Sequence, residues 1–135
     1  MWEESDVQLV LVEWLKPHEE IKVKARDKLL DMTKRWGGYT KPLLVDMNTG
    51  AILDGHHRLS VARELGLSKI PAICLNYLSS EEIILELWPS SVLESITKSM
   101  VIDMCESDDL FPPKTTKHTT IFDLPPILVS LDELK

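Results

Sequence analysis

The run from Asp54 to Arg58, Asp-Gly-His-His-Arg, contains the residue types best suited to binding a phosphate group. It precedes a helical pattern, so it would lie at a helix N-terminus, where free N–H groups and the helix dipole stabilise an anion. Gly55 allows a sharp turn and a close backbone approach to a ligand. Arg58 can contact a phosphate through two N–H groups, and Asp54 could hold a metal ion or orient a histidine. The alternative is a helix N-terminus with a few solvated polar residues.

Two further segments carry groups that could do chemistry. Residues 114–118 read Lys-Thr-Thr-Lys-His, whose side chains can donate to phosphate, and Pro112-Pro113 would hold this loop rigid. A solvated charged loop is the alternative. In the third segment, His18 to Glu20, a glutamate could act as a general base. Two glutamates in the first turn of a helix are explained equally well by the helix dipole.

The adjacent histidines His56 and His57 do not form a zinc site by their spacing. Neighbouring residues on a helix point about 100° apart and rarely face one ion. The sequence has no His-Glu-x-x-His motif, and Cys74 and Cys105 belong to no Cys-x-x-Cys pair. We therefore expect no structural zinc and two free thiols.

Length and charge limit the classes of function. The chain has 135 residues, 44% of them hydrophobic, which predicts one domain over 1–135 with its own core. A net charge of −7 and a pI near 5.0 argue against a nucleic-acid-binding surface, which needs clustered Lys and Arg. A small anionic ligand in a local basic pocket remains compatible with this charge. No apolar run approaches the roughly 18 residues of a membrane span, and no signal peptide opens the chain, so we expect a cytoplasmic protein without membrane contact.

Strand and helix patterns alternate through the first half of the chain and are less regular in the second. In the first half we predict a strand over 8–15, a loop or first helical turn over 18–20, a helix over 24–36 stopped by Gly37-Gly38, a hairpin of strands 41–46 and 51–54, a helix over 55–65 capped by Gly66, and a strand over 70–77. In the second half we predict a strand over 80–88, with a helix as the alternative because Ser80 could start a capping box, then a helix over 91–105, a polar loop over 114–120, and a strand over 121–131 interrupted by Pro125-Pro126.

The stretch from Pro42 to Ala72 resembles the core motif of the ParB/sulfiredoxin-like superfamily, and weaker similarity extends from Val12 to Tyr77. Sulfiredoxin-like proteins carry a catalytic cysteine just before the motif His-Arg, and this chain has His56 there. Chromosome-partitioning ParB proteins carry Gly-Glu-Arg-Arg at the place of residues 55–58. The resemblance implies an α/β fold, a compact domain with a small mixed sheet flanked by helices.

The free-serine kinases of this superfamily are similar in three places. They carry a Pro-His-Glu-Glu, an Asp-Gly-His-His-Arg and a Phe-Pro-Pro-Lys-[Ser/Thr]-Thr-x-His segment, which correspond here to residues 17–20, 54–58 and 111–118. This resemblance implies phosphoryl transfer from ADP or ATP to the hydroxyl of L-serine, giving O-phosphoserine. It also implies a glutamate base, which would be Glu19, with Glu20 as second choice.

The kinase resemblance gives each candidate residue a role. Glu19, Asp54 and His57 would be catalytic, with Asp54 also holding Mg²⁺, an ion that prefers oxygen ligands. The groups expected to contact the nucleotide or its phosphates are Gly55, His56, His57, Arg58, Lys114, Thr115, Thr116 and His118. The groups expected around the amino-acid substrate are Glu20, Trp88 and Lys117.

Two other interpretations share the phosphate-binding turn. A non-enzymatic ParB-like module that binds a nucleotide or associates with DNA would need no base at Glu19. A ParB-like nuclease would need a cluster of carboxylates and a basic substrate surface, and the acidic pI counts against it.

Overall fold

The computed structural model describes residues 2–135, and within them no helix has both the length and the apolar character needed to span a bilayer. The α-helices are α1 (Val23–Trp36), α2 (His56–Glu64), α3 (Lys98–Glu106) and α4 (Leu131–Leu134). The strands are β1 (Gln8–Leu11), β2 (Gly38–Tyr39), β3 (Leu43–Asp46), β4 (Ile52–Asp54), β5 (Lys69–Leu75), β6 (Ile83–Leu87), β7 (Thr116–Thr120) and β8 (Val129–Ser130).

The main sheet has four strands in the order β1-β5-β3-β4. Strands β3 and β5 run parallel, and the chain passes from β4 through α2 to reach β5, since parallel neighbours need a crossover connection. The β1–β5 and β3–β4 pairs are antiparallel, and two further two-stranded sheets pair β2 with β8 and β6 with β7. The small mixed sheet flanked by helices, implied by the resemblance, is thus confirmed.

The main sheet separates two apolar clusters, because successive side chains of a strand point to opposite faces. Leu43 and Val45 of β3 pack in one cluster, which includes residues of α1 and α2. Leu44 lies in the other, together with Val101 of α3 and Tyr77 after β5. All four residues of β3 are buried. The core on both sides therefore fixes the end of β4, from which α2 begins.

The first half of the chain follows its sequence pattern closely. The structure confirms the helix stopped by Gly37, whose φ of 71° is the left-handed conformation of a helix C-cap. It also confirms the hairpin, the helix after Gly55 and the strand that follows it. The 8–15 strand was predicted too long, because residues 12–14 form a 3-10 turn. Residues 18–20 lie in a loop rather than in a helical turn, since α1 begins only at Val23.

The second half contains three corrections. The polar loop predicted over 114–120 is wrong, because residues 116–120 form strand β7, which pairs with the correctly predicted strand β6. The predicted 91–105 helix begins only at residue 98, where the Thr97 side chain caps the first turn by accepting the Met100 N–H at 3.2 Å. The predicted strand over 121–131 shrinks to the two residues of β8, since Pro125 and Pro126 offer no N–H to a ladder.

Candidate active site

All but one of the candidate residues line a single cavity of about 550 Å³. The three sequence motifs, which are far apart along the chain, are therefore neighbours in space. The exception is Thr115, whose side chain is buried and donates to the Pro112 carbonyl at 2.7 Å. The cavity wall also includes a part that the motifs do not announce, with residues of α1 and of the segment after it: Leu29, Thr33, Trp36, Gly38, Tyr39, Thr40 and Lys41.

The turn before α2 requires a glycine. Gly55 has φ 114°, a backbone conformation that other residues rarely adopt, and a Cβ placed there would lie 2.6 Å from Leu43 Cγ. Because the N-cap is a glycine, no side chain caps the first turn of α2. The residues of this turn line the cavity, which gives it the helix N-terminus that an anion favours.

The two adjacent histidines hold the loop that carries Glu19. The His18 N–H donates to His56 Nε2 at 3.1 Å, and the Lys22 N–H donates to His57 Nε2 at 3.0 Å. An imidazole nitrogen that accepts a hydrogen bond carries no proton, so both rings are neutral with their proton on Nδ1. Burial lowers the pKa of both histidines, and for His57 the nearby Glu19 opposes the shift. This differs from the expected role, because the Nε2 atoms bind backbone rather than pointing at a ligand.

Glu19 lies where the first and third motifs meet. The Phe111 N–H donates to the His18 carbonyl and the Glu20 N–H donates to the Phe111 carbonyl, each at 2.8 Å, so the two segments pair around Glu19. Its Oε1 atom accepts the N–H of Thr115 at 3.1 Å and that of Thr116 at 2.8 Å. These bonds explain the position of Glu19 better than a helix dipole does, because no helix begins there.

Backbone amides of the third motif converge on this carboxylate. The Lys114 N–H donates to Glu19 Oε2 at 3.3 Å, beside the two amides on Oε1. Lys114 is the one non-glycine residue between positions 2 and 135 with positive φ, at 57°. Successive N–H groups around a left-handed residue form a concave anion-binding surface. In this structure the anion they hold is Glu19, whereas the sequence led us to expect a phosphate.

Behind Glu19 lies a buried group of polar side chains. His18 is fully buried, and its Nε2 is 2.9 Å from Thr116 Oγ1. The His118 ring is 5.7 Å from that of His18, and its Nε2 is 2.8 Å from the Tyr77 hydroxyl. Burial lowers the pKa of His18 to about 4 and that of His118 to about 3, so both rings are neutral near pH 7. The kinase resemblance implied a phosphate-binding role for His118, which lines the cavity as an uncharged group.

Because His18 and His118 are buried as neutral rings, we expect the folding stability of the protein to fall in mild acid. In the unfolded chain the pKa of each histidine is near 6.5. Between about pH 6.5 and pH 4 the unfolded chain therefore binds protons at these residues, whereas the folded chain does not. Folding stability should be independent of these groups above that window, and within it should fall by up to roughly 1.4 kcal/mol per pH unit for each histidine. Urea unfolding at several pH values measures the slope. His118→Gln should show a shallower slope, and an unchanged slope in that variant would contradict the assignment.

Arg58 lies below the turn rather than free in the cavity. Its Nη1 donates to the Pro42 carbonyl at 3.2 Å, and its Nη2 is 3.6 Å from Asp54 Oδ2. The Tyr39 hydroxyl donates to the Arg58 carbonyl at 2.7 Å. Burial lowers the pKa of the guanidinium, and the neighbouring Asp54 opposes that shift. Asp54 is half exposed and lines the cavity, so its carboxylate is accessible to a ligand or cation.

Trp88 lines the cavity and has the ammonium groups of two lysines over its ring. The Nζ atoms of Lys114 and Lys117 lie 5.6 and 5.0 Å from the ring centroid. The Trp88 backbone N–H donates to the Thr115 carbonyl at 3.2 Å, which fixes the backbone of Trp88 beside the third motif. The two ammonium groups provide local positive charge in an acidic protein, as recognition of a small anion requires. The exposed Glu20 lines the same cavity.

The sequence did not identify every polar group of the site. His18 stands inside the first motif, next to the glutamates, but nothing in its spacing distinguishes a buried histidine from a solvated one. Tyr77 ends a predicted strand and gave no signal of its bond to His118. Neither group could be found without knowing that the β6–β7 pair brings Thr116 and His118 of the third motif to His18 and Tyr77.

No protein-family profile matches the chain, but individual proteins do. It is 36% identical over 74 residues to a ParB-like protein of Sulfolobus acidocaldarius, which is 55% of this chain and 36% of the relative. It is 34% identical over 94 residues to an ATP-dependent L-serine kinase of Staphylothermus marinus, 67% of this chain and 37% of the relative. An ADP-dependent L-serine kinase of Thermococcus kodakarensis is 29% identical over 80 residues, 56% of this chain and 33% of the relative. The matched regions thus cover about a third of these curated relatives.

Solved structures match over nearly the whole chain. A free serine kinase in complex with AMP superposes with a TM-score of 0.84 at 18% identity, covering 96% of this chain and 94% of that one. A C-terminally truncated SbnI from Staphylococcus aureus gives 0.76 at 12% identity, covering 97% and 90%. At these identities the structures establish the fold, and the curated relatives add the kinship in sequence. The chain thus has the fold of a free serine kinase and is similar in sequence to a ParB-like protein and to L-serine kinases.

Proposed function

We propose that the chain is a single-domain kinase that transfers a phosphoryl group from ADP or ATP to the hydroxyl of free L-serine. One observation carries the proposal: the three kinase-like motifs meet in one cavity, with the Glu19 carboxylate between the third motif and the turn before α2. The names of the sequence relatives supply the reaction, the nucleotide donor and the serine acceptor. The cytoplasm, which holds both substrates, is the compartment that fits this reaction.

The reaction asks the protein mainly for alignment and charge neutralisation. Glu19 accepts the proton of the serine hydroxyl as its oxygen attacks the terminal phosphorus of the nucleotide. The new O–P bond forms while the bond from that phosphorus to the bridging oxygen breaks, so ADP leaves as AMP, or ATP leaves as ADP. Glu19 suits the role because its loop is fixed from both sides, by the histidines of α2 and by the amides of residues 114–116.

The remaining residues divide between the two substrates. The uncapped first turn of α2 and Gly55 lie where the donor phosphates would be held, and Arg58 adds positive charge beneath them. Trp88 with its two lysines offers a wall and positive charge to the amino-acid acceptor, whose carboxylate is an anion. Glu20 lines the same cavity, is exposed and would face the acceptor's ammonium group.

The site also fits Mg²⁺, the usual partner of nucleotide phosphates. Between residues 2 and 135 no group of three or more acidic, histidine or cysteine side chains is placed to hold a metal by itself. Mg²⁺ needs no such group, since it is commonly held by one or two carboxylates, substrate phosphates and water. Asp54, half exposed in the cavity, would supply the carboxylate. The ion would supply neutralisation of charge on the transferring phosphoryl group.

A product assay tests the function. The full chain is incubated with Mg²⁺, ADP or ATP, and L-serine, and O-phosphoserine is measured by mass spectrometry. L-Alanine, which lacks the hydroxyl, is the matched control acceptor. We expect phosphoserine with at least one nucleotide and no phosphorylated product with alanine. Tight nucleotide binding without phosphoserine would favour a non-enzymatic binding module, an alternative supported by the ParB-like sequence relative.

A further inference from the structure

The two oxygens of the Glu19 carboxylate have different surroundings. Oε1 accepts three hydrogen bonds, from the Thr115 N–H, the Thr116 N–H and the Thr116 hydroxyl, the last at 3.1 Å. Oε2 accepts a single long one, from the Lys114 N–H at 3.3 Å. A carboxylate has about four lone-pair directions in total, so Oε1 is saturated and Oε2 retains free capacity. A substrate hydroxyl can therefore deliver its proton to Oε2.

The direction of the Thr116 hydroxyl follows from its two partners. An ionised carboxylate can only accept hydrogen bonds, so the Thr116 hydroxyl donates its single proton to the hydrogen bond with Glu19 Oε1. The Thr116 oxygen must then accept from its other neighbour, His18 Nε2, at 2.9 Å. His18 is neutral, because burial lowers its pKa to about 4, so its one ring proton is on Nε2. Its Nδ1 is buried and makes no hydrogen bond of normal geometry with a described residue, although the nearby Ile52 backbone offsets part of the effect of burial on the pKa of His18.

A purely structural account leaves this arrangement unexplained. Burying an imidazole with an unpartnered nitrogen costs stability, and the hydrogen-bonded Thr116 hydroxyl adds little net stability compared with an apolar group of similar shape. The His18 ring lies between the rings of His56, at 4.5 Å, and Phe111, at 6.3 Å, surroundings in which a phenylalanine side chain would pack. What the polar pair adds is one directed hydrogen bond, from the Thr116 hydroxyl to Glu19 Oε1.

We propose that Thr116 is a positioning residue for the base of the proposed kinase, which holds Glu19 by Oε1 and leaves Oε2 for the acceptor hydroxyl. His18 acts one step behind it, because its Nε2–H keeps the Thr116 hydroxyl turned toward Glu19. This role rests on the proposed function. It differs from the phosphate contact expected of Thr116 from the sequence, since a phosphate ligand would act on nucleotide affinity and a positioning residue acts on turnover.

Paired substitutions at Thr116 separate these roles. Thr116→Val keeps the shape and removes the hydroxyl, whereas Thr116→Ser keeps the hydroxyl. We expect Thr116→Val to lower kcat at least tenfold, the scale of losing a hydrogen bond to a charged group, with KM for nucleotide and serine within about twofold of wild type. Thr116→Ser should recover most of the loss. The control is Thr120→Val on the same strand. It removes a hydroxyl that donates to the Phe122 carbonyl outside the cavity, so kcat should be unchanged.

The outcomes are distinguishable. A Thr116→Val protein with wild-type kcat, or with a raised nucleotide KM at unchanged kcat, overturns the positioning role and leaves the kinase in place. A wild-type chain that makes no phosphoserine removes the kinase and this role with it. A fall in kcat that Thr116→Ser does not restore would show that packing, not the hydroxyl, is responsible, and would also overturn the proposal.

A double-mutant cycle tests the contribution of His18. His18→Gln retains an N–H donor and should keep more activity than His18→Phe, which has none. In the Thr116→Val background either change should add little further loss of kcat, because the hydroxyl that His18 orients is already absent. Independent, additive losses would contradict the coupling. Should His18→Phe fail to fold, the Thr116 pair still decides the proposal.

Discussion

Glu19→Gln is expected to lower turnover by roughly a hundredfold or more, because the amide keeps the shape of the side chain and cannot accept the serine proton. Nucleotide affinity should barely change. Stability should fall only slightly, since the amide oxygen can keep the bonds of Oε1 while the new NH₂ group replaces Oε2 opposite the Lys114 N–H. Steady-state kinetics on phosphoserine formation, nucleotide calorimetry and thermal unfolding measure the three quantities.

Glu20→Gln is the matched control for that experiment. Glu20 is the neighbouring carboxylate of the same cavity, but it is exposed, while the third motif's amides bond Glu19. We expect Glu20→Gln to retain turnover within a few-fold of wild type. If instead Glu20→Gln is inactive and Glu19→Gln works at the wild-type rate, the base is Glu20 and the structural reading of Glu19 is wrong.

The second large effect concerns the turn before α2. Gly55→Ala should destabilise the protein by roughly 3 kcal/mol or more, because the substitution combines a strained backbone with a clash of the new Cβ against Leu43 Cγ at 2.6 Å. That is a large part of the 5–15 kcal/mol that typically separates folded from unfolded states. Nucleotide binding should weaken as well, since relief of the clash moves the first turn of α2. Urea unfolding and calorimetry measure the two losses.

Gly37→Ala is the control for the clash. Gly37 also has positive φ, 71°, but a Cβ there would meet no atom within 4 Å. Its substitution should therefore cost only the roughly 1–2 kcal/mol of placing a side chain in the left-handed conformation. Equal destabilisation at the two positions would mean that backbone strain alone matters at Gly55 and that the contact with Leu43 relaxes freely.

The sequence predicted those parts of the fold in which apolar periodicity marks the core face and a glycine marks the end or the turn of an element. The helix before Gly37, the hairpin and the turn at Gly55 each follow from apolar periodicity and a glycine with positive φ. Strand β7 was missed because its less exposed positions are Thr116, His118 and Thr120, so the usual apolar alternation is absent. Polar side chains face inward there to bond Glu19 and Tyr77, and a local pattern cannot distinguish such a strand from a solvated loop.

The candidate site shows the same division. Apart from Thr115, the residues selected by motif resemblance line the cavity, whereas the part of its wall from α1 and residues 38–41 was not predicted. Motif resemblance could not say which of the selected residues contact each other. His56 and His57 fix a loop, and Lys114 to Thr116 bind a carboxylate, where the sequence led us to expect contacts with phosphate. Which partner each of these residues bonds depends on the distances between the motifs in space, and the spacing of residues within one motif does not reveal those distances.

The hydrogen bonds from the third motif to Glu19 join residues 95 to 97 positions apart in the chain. Contacts between residues so far apart in the chain require most of the intervening chain to be ordered first. Closing a large loop costs conformational entropy, and this cost arises before the hydrogen bonds that offset it can form. During synthesis, therefore, the Glu19 carboxylate lacks its amide partners until residues 111–116 have emerged from the ribosome, although His56 and His57 can already bond the loop that carries it. A nascent or partly unfolded chain has the turn of α2 but not the completed site, so catalytic competence should appear only with the last folding step.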